Sequence, residues 1–154
     1  MDVVGIETSR ATGWVVLCRD GECLEERRLE APGGRHARAL PATVASLLAD
    51  HDLAPVDCDL VAVSIGPGSF TGLRVGVVFA KTLAWTVGCP LVAVETLAVV
   101  AATPRCDVDD LLVIADAGRD ELYFGRYRRT GNNDWSRTGT ITIEPADDWC
   151  RART

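Results

Sequence analysis

The sequence LVAVSIGPGSFTGLRVGVVFAKTLAWTVGCPLVAV, residues 60–94, decides the fold of this chain. It opens with LVAVSI (60–65), a nearly continuous apolar run that is typical of a strand buried on both faces of a sheet. The glycines and proline of GPGSFTG (66–72) then break this strand. Within that segment, Ser69 or Thr71 is positioned to cap a helix that follows.

The helix predicted next covers residues 73–87, since this segment contains no proline and only one glycine. Gly88 is expected to end the helix, and Pro90 precedes a second apolar strand, residues 91–94. A strand, a helix and a strand in this order usually connect parallel strands. The predicted fold class is therefore α/β.

Small residues recur at every fourth position of this helix, and such a stripe lets another backbone approach closely. The stripe comprises Gly72, Gly76, Ala80 and Ala84. Two interpretations remain open: the stripe packs inside the chain, or it receives a helix of a partner protein. In the second interpretation, the predicted interface also includes the neighbouring cations Arg74 and Lys81.

Composition and charge limit the classes of function. The chain has 154 residues, 47% of them hydrophobic, and a mean hydropathy of +0.11, which predicts a folded soluble protein. Its net charge of −6 disfavours binding of nucleic acid unaided, because phosphate contacts need clustered lysines and arginines. The N-terminus predicts no targeting signal, and no segment predicts a membrane span. The six cysteines form no C-x-x-C motif and no cluster with histidine, so we expect a cytoplasmic protein without a metal.

The remaining sequence predicts a repeated pattern of elements, with a first copy and the opening strands of a second copy. In the first copy, the sequence Asp20-Gly21 predicts a hairpin turn between two strands. The helix expected to end near Ala49 contains Pro41, which is tolerable only in its first turn. The other predicted elements are strands over 3–6, 13–19 and 23–29 and a short helix over 95–102.

The second copy repeats the three opening strands, which are predicted over 111–115, 122–128 and 140–143. Asp116 and Arg119 follow its first strand at the offsets that Glu7 and Arg10 have in the first copy. A turn is predicted at residues 131–133. We therefore expect a complete first lobe, residues 1–103, and a truncated second lobe, residues 104–154, with a helix starting around Trp149.

Six residues at strand ends or in the glycine loop are candidates for binding an anion or a nucleotide. The loop precedes a predicted helix, and helix N-termini attract phosphate. They are Glu7, Ser9, Gly68, Ser69, Asp116 and Arg119. The glycine loop is neither a Walker A motif nor a dinucleotide fingerprint, so we predict no cofactor. The two carboxylates face one cleft in one interpretation and cap turns in the other. His36 and His51 are expected to face solvent, and no metal-ligand or nucleophile motif occurs.

Four segments together resemble the TsaB (YeaZ) family, over a span from Met1 to about Tyr127. They are residues 6–9, 36–41, 65–76 and 116–123, and the third is highly specific. The resemblance implies the duplicated actin-like, ribonuclease-H-like (ASKHA) fold. It also implies a non-catalytic subunit of the bacterial machinery that makes threonylcarbamoyladenosine in tRNA. The implied partners are the TsaD transferase and the TsaE ATPase, or a second copy, with tRNA reached only through the complex.

The chain also departs from that family. Glu7 stands where the family usually has Asp, and the turn at residues 117–120 is less basic than the family's. Most of the C-terminal lobe is missing, and the histidine pair of the catalytic relative is absent, which excludes the transferase role. The alternative function is a nucleotide-binding enzyme of the sugar-kinase or actin-like ATPase type.

Overall fold

The chain folds around two β-sheets, which a computed structural model describes over residues 1–29, 36–103, 108–131 and 134–151. The sheets belong to two units, Met1–Val94 and Glu95–Thr154. No helix among the described residues is long and apolar enough to span a membrane.

The first sheet has five strands in the order β3-β2-β1-β4-β5. The strands β1 to β3 form an antiparallel meander, and β4 and β5 run parallel to β1. The parallel pairs confirm the crossover that the sequence predicts for residues 60–94. Asp20 and Gly21 both have positive φ, as the tight turn between β2 and β3 requires. The strands are β1 (Asp2–Glu7), β2 (Trp14–Arg19), β3 (Glu22–Arg28), β4 (Leu60–Ser64) and β5 (Leu91–Val94).

The first unit also contains the helices α1 (His36–Ala49) and α2 (Phe70–Val87), with a short 3₁₀ turn at Pro55–Asp57. Helix α2 starts three residues earlier than predicted, because Ser69 Oγ accepts a hydrogen bond from the Gly72 N–H at 3.2 Å. Its C-cap is Gly88, with φ of 82°, as predicted.

The prediction for Pro41 is wrong, since this residue is the sixth of α1 and lies beyond the first turn. Pro41 cannot donate to the carbonyl of Ala37. Both residues are exposed, so water can satisfy that carbonyl.

One apolar cluster joins the first sheet to both helices. Residues of alternate positions on β1, β2 and β4 point into it, as expected for strands whose side chains alternate. Two small residues of α2, Ala80 and Ala84, belong to the same cluster. The helix α2 is therefore seated on the sheet through its smallest side chains.

The second unit is built around β7, which pairs with β6 along one edge and with both β8 and β9 along the other. The predicted third strand of the second copy, residues 140–143, corresponds to β9, which starts two residues later, and β8 was not predicted. A helix begins three residues before Trp149. Of the predicted turn at 131–133, residues 132 and 133 lie outside the described part. The elements are α3 (Thr96–Ala102), β6 (Asp110–Gly118), β7 (Glu121–Arg129), β8 (Trp135–Arg137), β9 (Thr142–Pro145) and α4 (Ala146–Arg151).

The two units divide before α3, whereas the predicted lobes divide after it, at residues 103 and 104. The physical reason is the apolar face of α3. Leu97 and Ala101 are fully buried in a cluster with Val113 and Tyr127 of the second sheet. The order of elements, βββαβαβα followed by further strands, nevertheless agrees with the prediction, apart from the additional strand β8.

Candidate functional site

The backbone of α2 lies directly against Thr8, the residue that follows β1. Thr8 is fully buried, and its Oγ1 donates to the carbonyl of Gly72 at 2.8 Å. A Cβ added at Gly72 would lie 1.9 Å from the Thr8 carbonyl oxygen, and one added at Gly76 would lie 2.2 Å from Thr8 Oγ1. Only glycine at these two positions allows this approach.

The stripe of small residues is consequently covered by this chain. Gly72, Gly76, Ala80 and Ala84 are the buried residues of α2. The prediction that these four residues themselves receive a partner's helix is wrong, because their side of α2 already contacts the first sheet. Of the six predicted interface residues, only Arg74 and Lys81 are exposed.

Another side of α2 carries large apolar side chains that the unit leaves in solvent. Phe70 is 73% exposed, Val78 63% and Trp85 85%. Phe70 and Val78 are eight positions apart, and Val78 and Trp85 are seven apart. Each step is about two helical turns, so all three side chains lie along one side of the helix. We call Phe70, Arg74, Val78, Lys81 and Trp85 the outer face of α2.

A groove of about 550 Å³ adjoins this outer face. Leu40 of α1 and Val75 and Phe79 of α2 supply much of its apolar lining. Val78 belongs both to the groove and to the outer face, so the apolar surface is continuous. Monomeric proteins rarely leave such a surface uncovered, and extended apolar patches mark sites of association.

The cations of the outer face sit among these apolar side chains. The Arg74 guanidinium lies 5.6 Å from the centre of the Phe70 ring, in a cation–π contact. Lys81 is exposed one turn before Trp85. The surface therefore favours a partner that is apolar at the centre of the contact and carries acidic groups beside it.

Sequence reasoning missed the outer face because it placed Phe70 in the loop before the helix and considered only the stripe of small residues, with Arg74 and Lys81, as a surface for a partner. The signal was nevertheless present, since Phe70, Val78 and Trp85 recur at a spacing near seven. A helix start at Ser69 would have placed all three on one side.

The glycine loop predicted to bind an anion is engaged with the chain itself. The Ser69 N–H donates to the Ser9 carbonyl at 2.6 Å, and the Leu73 N–H donates to the Ser69 carbonyl at 2.8 Å. A Cβ added at Gly68 would lie 2.5 Å from the Ser9 carbonyl oxygen. The loop thus packs tightly on the end of β1, and these backbone donors already have partners.

The two predicted carboxylates, Glu7 and Asp116, each accept a hydrogen bond from the backbone N–H two residues later in the chain. The Glu7 carboxylate accepts a hydrogen bond from the Ser9 N–H, and Asp116 Oδ1 accepts one from the Gly118 N–H at 2.7 Å. Each therefore caps a turn at the end of its strand, which agrees with one of the two interpretations. Asp116 lies inside β6, which extends to Gly118, and not after the strand as predicted. Arg119 is exposed in the second of these turns. The shared cleft concerns two separate units and stays a prediction.

The sequence predicted that His51 faces solvent, but this side chain is only partly exposed and is paired with a carboxylate. Its Nε2 lies 2.9 Å from Glu25 Oε2, and Glu25 is also bonded to Arg27. The Arg27 guanidinium, followed by His51, lowers the pKa of the Glu25 carboxyl. The side chain of His36 lies outside the described part. Among the described residues, no group of three or more His, Cys, Asp or Glu is placed to hold a metal ion.

A partly buried polar link connects three side chains of the second unit. The Tyr127 hydroxyl donates to Glu95, whose other carboxylate oxygen lies 3.1 Å from Arg137 Nε. Burial, and then the bond to Glu95, raises the pKa of Tyr127. Glu95 holds this unit together, and its oxygens are engaged there.

A family model described as TsaD: tRNA N6-adenosine threonylcarbamoyltransferase matches residues 30–147. The tRNA threonylcarbamoyladenosine biosynthesis protein TsaB of Bacillus subtilis (strain 168) is 40% identical over 128 residues, which are 83% of this chain and 56% of that protein. A tRNA N6-adenosine threonylcarbamoyltransferase of Thermus thermophilus is 38% identical over 152 residues, covering 85% of this chain and 47% of that protein.

Among solved structures, YeaZ from Pseudomonas aeruginosa matches with a TM-score of 0.82 and 27% identity, over 94% of this chain and 67% of that chain. The chain spans about half the length of the curated relatives that it matches. The matched fold and the order of elements confirm the predicted α/β fold class and the likeness to YeaZ. The chain therefore belongs to the TsaD-type family and, within it, to the TsaB (YeaZ) family.

Proposed function

We propose that this chain is a non-catalytic subunit of the machinery that makes threonylcarbamoyladenosine in tRNA. In this role it binds a TsaD-type transferase through the outer face of α2 and the adjoining groove. The names of the curated relatives point to this pathway. The proposed assembly is cytoplasmic, and tRNA reaches the chain only through the complex.

The exposure of Phe70, Val78 and Trp85 is the observation that carries this proposal. Burial of such side chains removes apolar area from water at roughly 25 cal/mol per Å². Trp and Arg are also the residue types that dominate the binding energy of protein interfaces. A partner that covers this face gains both contributions, while the stripe on the other side of α2 keeps the helix fixed.

The non-catalytic part of the proposal rests on how the polar residues are used. The sequence contains two histidines, and His51 is paired with Glu25. Thr8 and Ser69 form hydrogen bonds that hold α2 in place. Because these hydroxyl and backbone groups form hydrogen bonds within the first unit, we assign the transfer reaction to the partner.

The alternative, a nucleotide-binding enzyme, also has an observation in its favour. Ser9 Oγ and Ser64 Oγ are buried near the carboxyl ends of β1 and β4 and have no hydrogen-bond partner among the described residues. A bound phosphate would supply one. The internal hydrogen bonds of the glycine loop count against it, because they occupy donors that a phosphate would use.

Reconstitution tests the proposed function. A purified TsaD-type transferase is assayed for threonylcarbamoyladenosine formation alone, with this chain and with the chain carrying Val78→Asp. We expect modification to rise only with the unsubstituted chain, and the chain alone to be inactive. Equal stimulation by Val78→Asp, with its fold intact by circular dichroism, would contradict the proposed surface.

A further inference from the structure

The β2–β3 hairpin places two cysteines directly opposite each other. Cys18 of β2 pairs with Cys23 of β3, one pair away from the Asp20-Gly21 turn. Directly opposed residues of an antiparallel pair have Cα atoms about 4.5 to 5.5 Å apart. Disulfides span Cα separations of about 4.4 to 6.8 Å. The pairing, which adjoins a register shift between Leu17 and Cys18, is therefore of the kind whose Cα separation a disulfide can span.

The two thiols also differ in access. Both are free, Cys23 is exposed and Cys18 is half-buried. Burial first, and then the neighbouring Cys23 thiol, which hydrogen-bonds to it, raise the pKa of Cys18. Cys58 provides a contrast, since it is 3% exposed and burial raises its pKa to about 11. An external reagent would therefore meet Cys23 before either of these buried sulfurs.

We propose that Cys18 and Cys23 form a reversible disulfide across the β2–β3 hairpin by exchange with a low-molecular-weight disulfide such as oxidised glutathione. This site is independent of the proposed function, because it lies on the hairpin and not on α2. In the first step, the deprotonated Cys23 sulfur attacks one sulfur of the small disulfide. The small S–S bond breaks, one thiolate leaves, and a mixed disulfide remains on Cys23.

In the second step, the deprotonated Cys18 sulfur attacks the Cys23 sulfur of the mixed disulfide. The bond to the small thiol breaks, and its electron pair leaves with a second thiolate, which takes up a proton. The two cysteines have then been oxidised together, and one small disulfide has been reduced to two thiols. The proximity of Cys18 makes this second step intramolecular and therefore faster than competing attack by another thiol.

Peptide mapping tests the proposal, because Arg19 lies between the two cysteines and trypsin separates them. The full chain is equilibrated with oxidised glutathione, its remaining thiols are blocked, and it is digested without reductant. We expect the peptide of residues 11–19 to be linked to the peptide of residues 20–27. Dithiothreitol should release both peptides, and the link should form again on renewed oxidation.

Matched variants distinguish this bond from other products. Cys89→Ser should leave the link unchanged, while Cys23→Ser should abolish it and leave Cys18 unmodified. Glutathione retained on Cys23 of the unsubstituted chain, without linked peptides, would overturn the proposal. So would absence of any reaction at Cys23, or a dominant link between either cysteine and a third one.

Discussion

The close contact between α2 and Thr8 makes Gly76→Ala a sharp test of how the first unit is packed. The added methyl would lie 2.2 Å from Thr8 Oγ1. Thr8 is fully buried, so its side chain cannot turn into solvent. Either α2 moves away from β1, or the hydrogen bond from Thr8 to the Gly72 carbonyl is lost.

The magnitude follows from three contributions. Overpacking of a tight core costs about 1–3 kcal/mol, and loss of a hydrogen bond costs about 0.5–1.5 kcal/mol. Alanine regains about 1 kcal/mol over glycine in helix propensity. We therefore expect a net loss of about 0.5–3.5 kcal/mol in the free energy of unfolding. In a chain of this size, each kcal/mol lowers the melting temperature by about 2–4 °C.

Urea unfolding followed by circular dichroism measures this loss. Thr86→Ala, an exposed change on the same helix, is the matched control and should stay within about 0.5 kcal/mol of the unsubstituted chain. Ala80→Leu should destabilise as Gly76→Ala does, because Ala80 is fully buried. If both variants are as stable as the unsubstituted chain, α2 is not seated on the sheet through its small residues.

Three further predictions concern charge and chemistry. Arg27 and His51 lower the pKa of Glu25, so this carboxylate stabilises the folded chain above its ordinary value of 4.5 and ceases to do so as pH falls through the lowered value. Urea midpoints measured against pH should therefore separate Glu25→Gln from the unsubstituted chain above pH 4.5 and converge as pH falls through the lowered pKa of Glu25; parallel curves would refute the pairing. The net charge of −6 predicts weak, salt-sensitive binding of tRNA by the chain alone, and a submicromolar Kd at physiological salt would contradict it. We also expect no turnover of ATP by the chain; turnover that vanishes in Asp116→Asn would instead support the nucleotide-binding alternative.

Most of the fold could be predicted because local signals agreed with tertiary packing. Leu60 to Val94 carries an apolar strand, a capping serine, a helix former and a C-cap glycine in succession, and each was found in place. The hairpin at Asp20-Gly21 is specified by two residues that tolerate positive φ. Such signals depend on neighbouring residues alone, so a single sequence contains them.

The wrong predictions concern features that depend on packing between residues far apart in the sequence. The periodicity of Gly72 to Ala84 indicates a close approach, but it does not say whose backbone approaches. The answer is Thr8, which is far away in the sequence. Likewise, the burial of Leu97 on the second sheet depends on strands that come later in the chain. The capping roles of Glu7 and Asp116 were one of two open alternatives, because a strand-end carboxylate suits a turn as well as a ligand.

In the proposed function, α2 faces inward through its small residues and outward toward a partner through Phe70, Val78 and Trp85. The most direct measurement is the Kd between this chain and a TsaD-type transferase, by titration calorimetry, for Trp85→Glu and for Leu24→Asp. Leu24 lies on the β2–β3 hairpin and is 38% exposed, which makes it the matched control. We expect Trp85→Glu to weaken binding by at least 2 kcal/mol, about 30-fold, because central aromatic anchors carry such energies. Leu24→Asp should bind as the unsubstituted chain does. Unchanged affinity of Trp85→Glu for the transferase, with an unchanged melting temperature, would contradict the account.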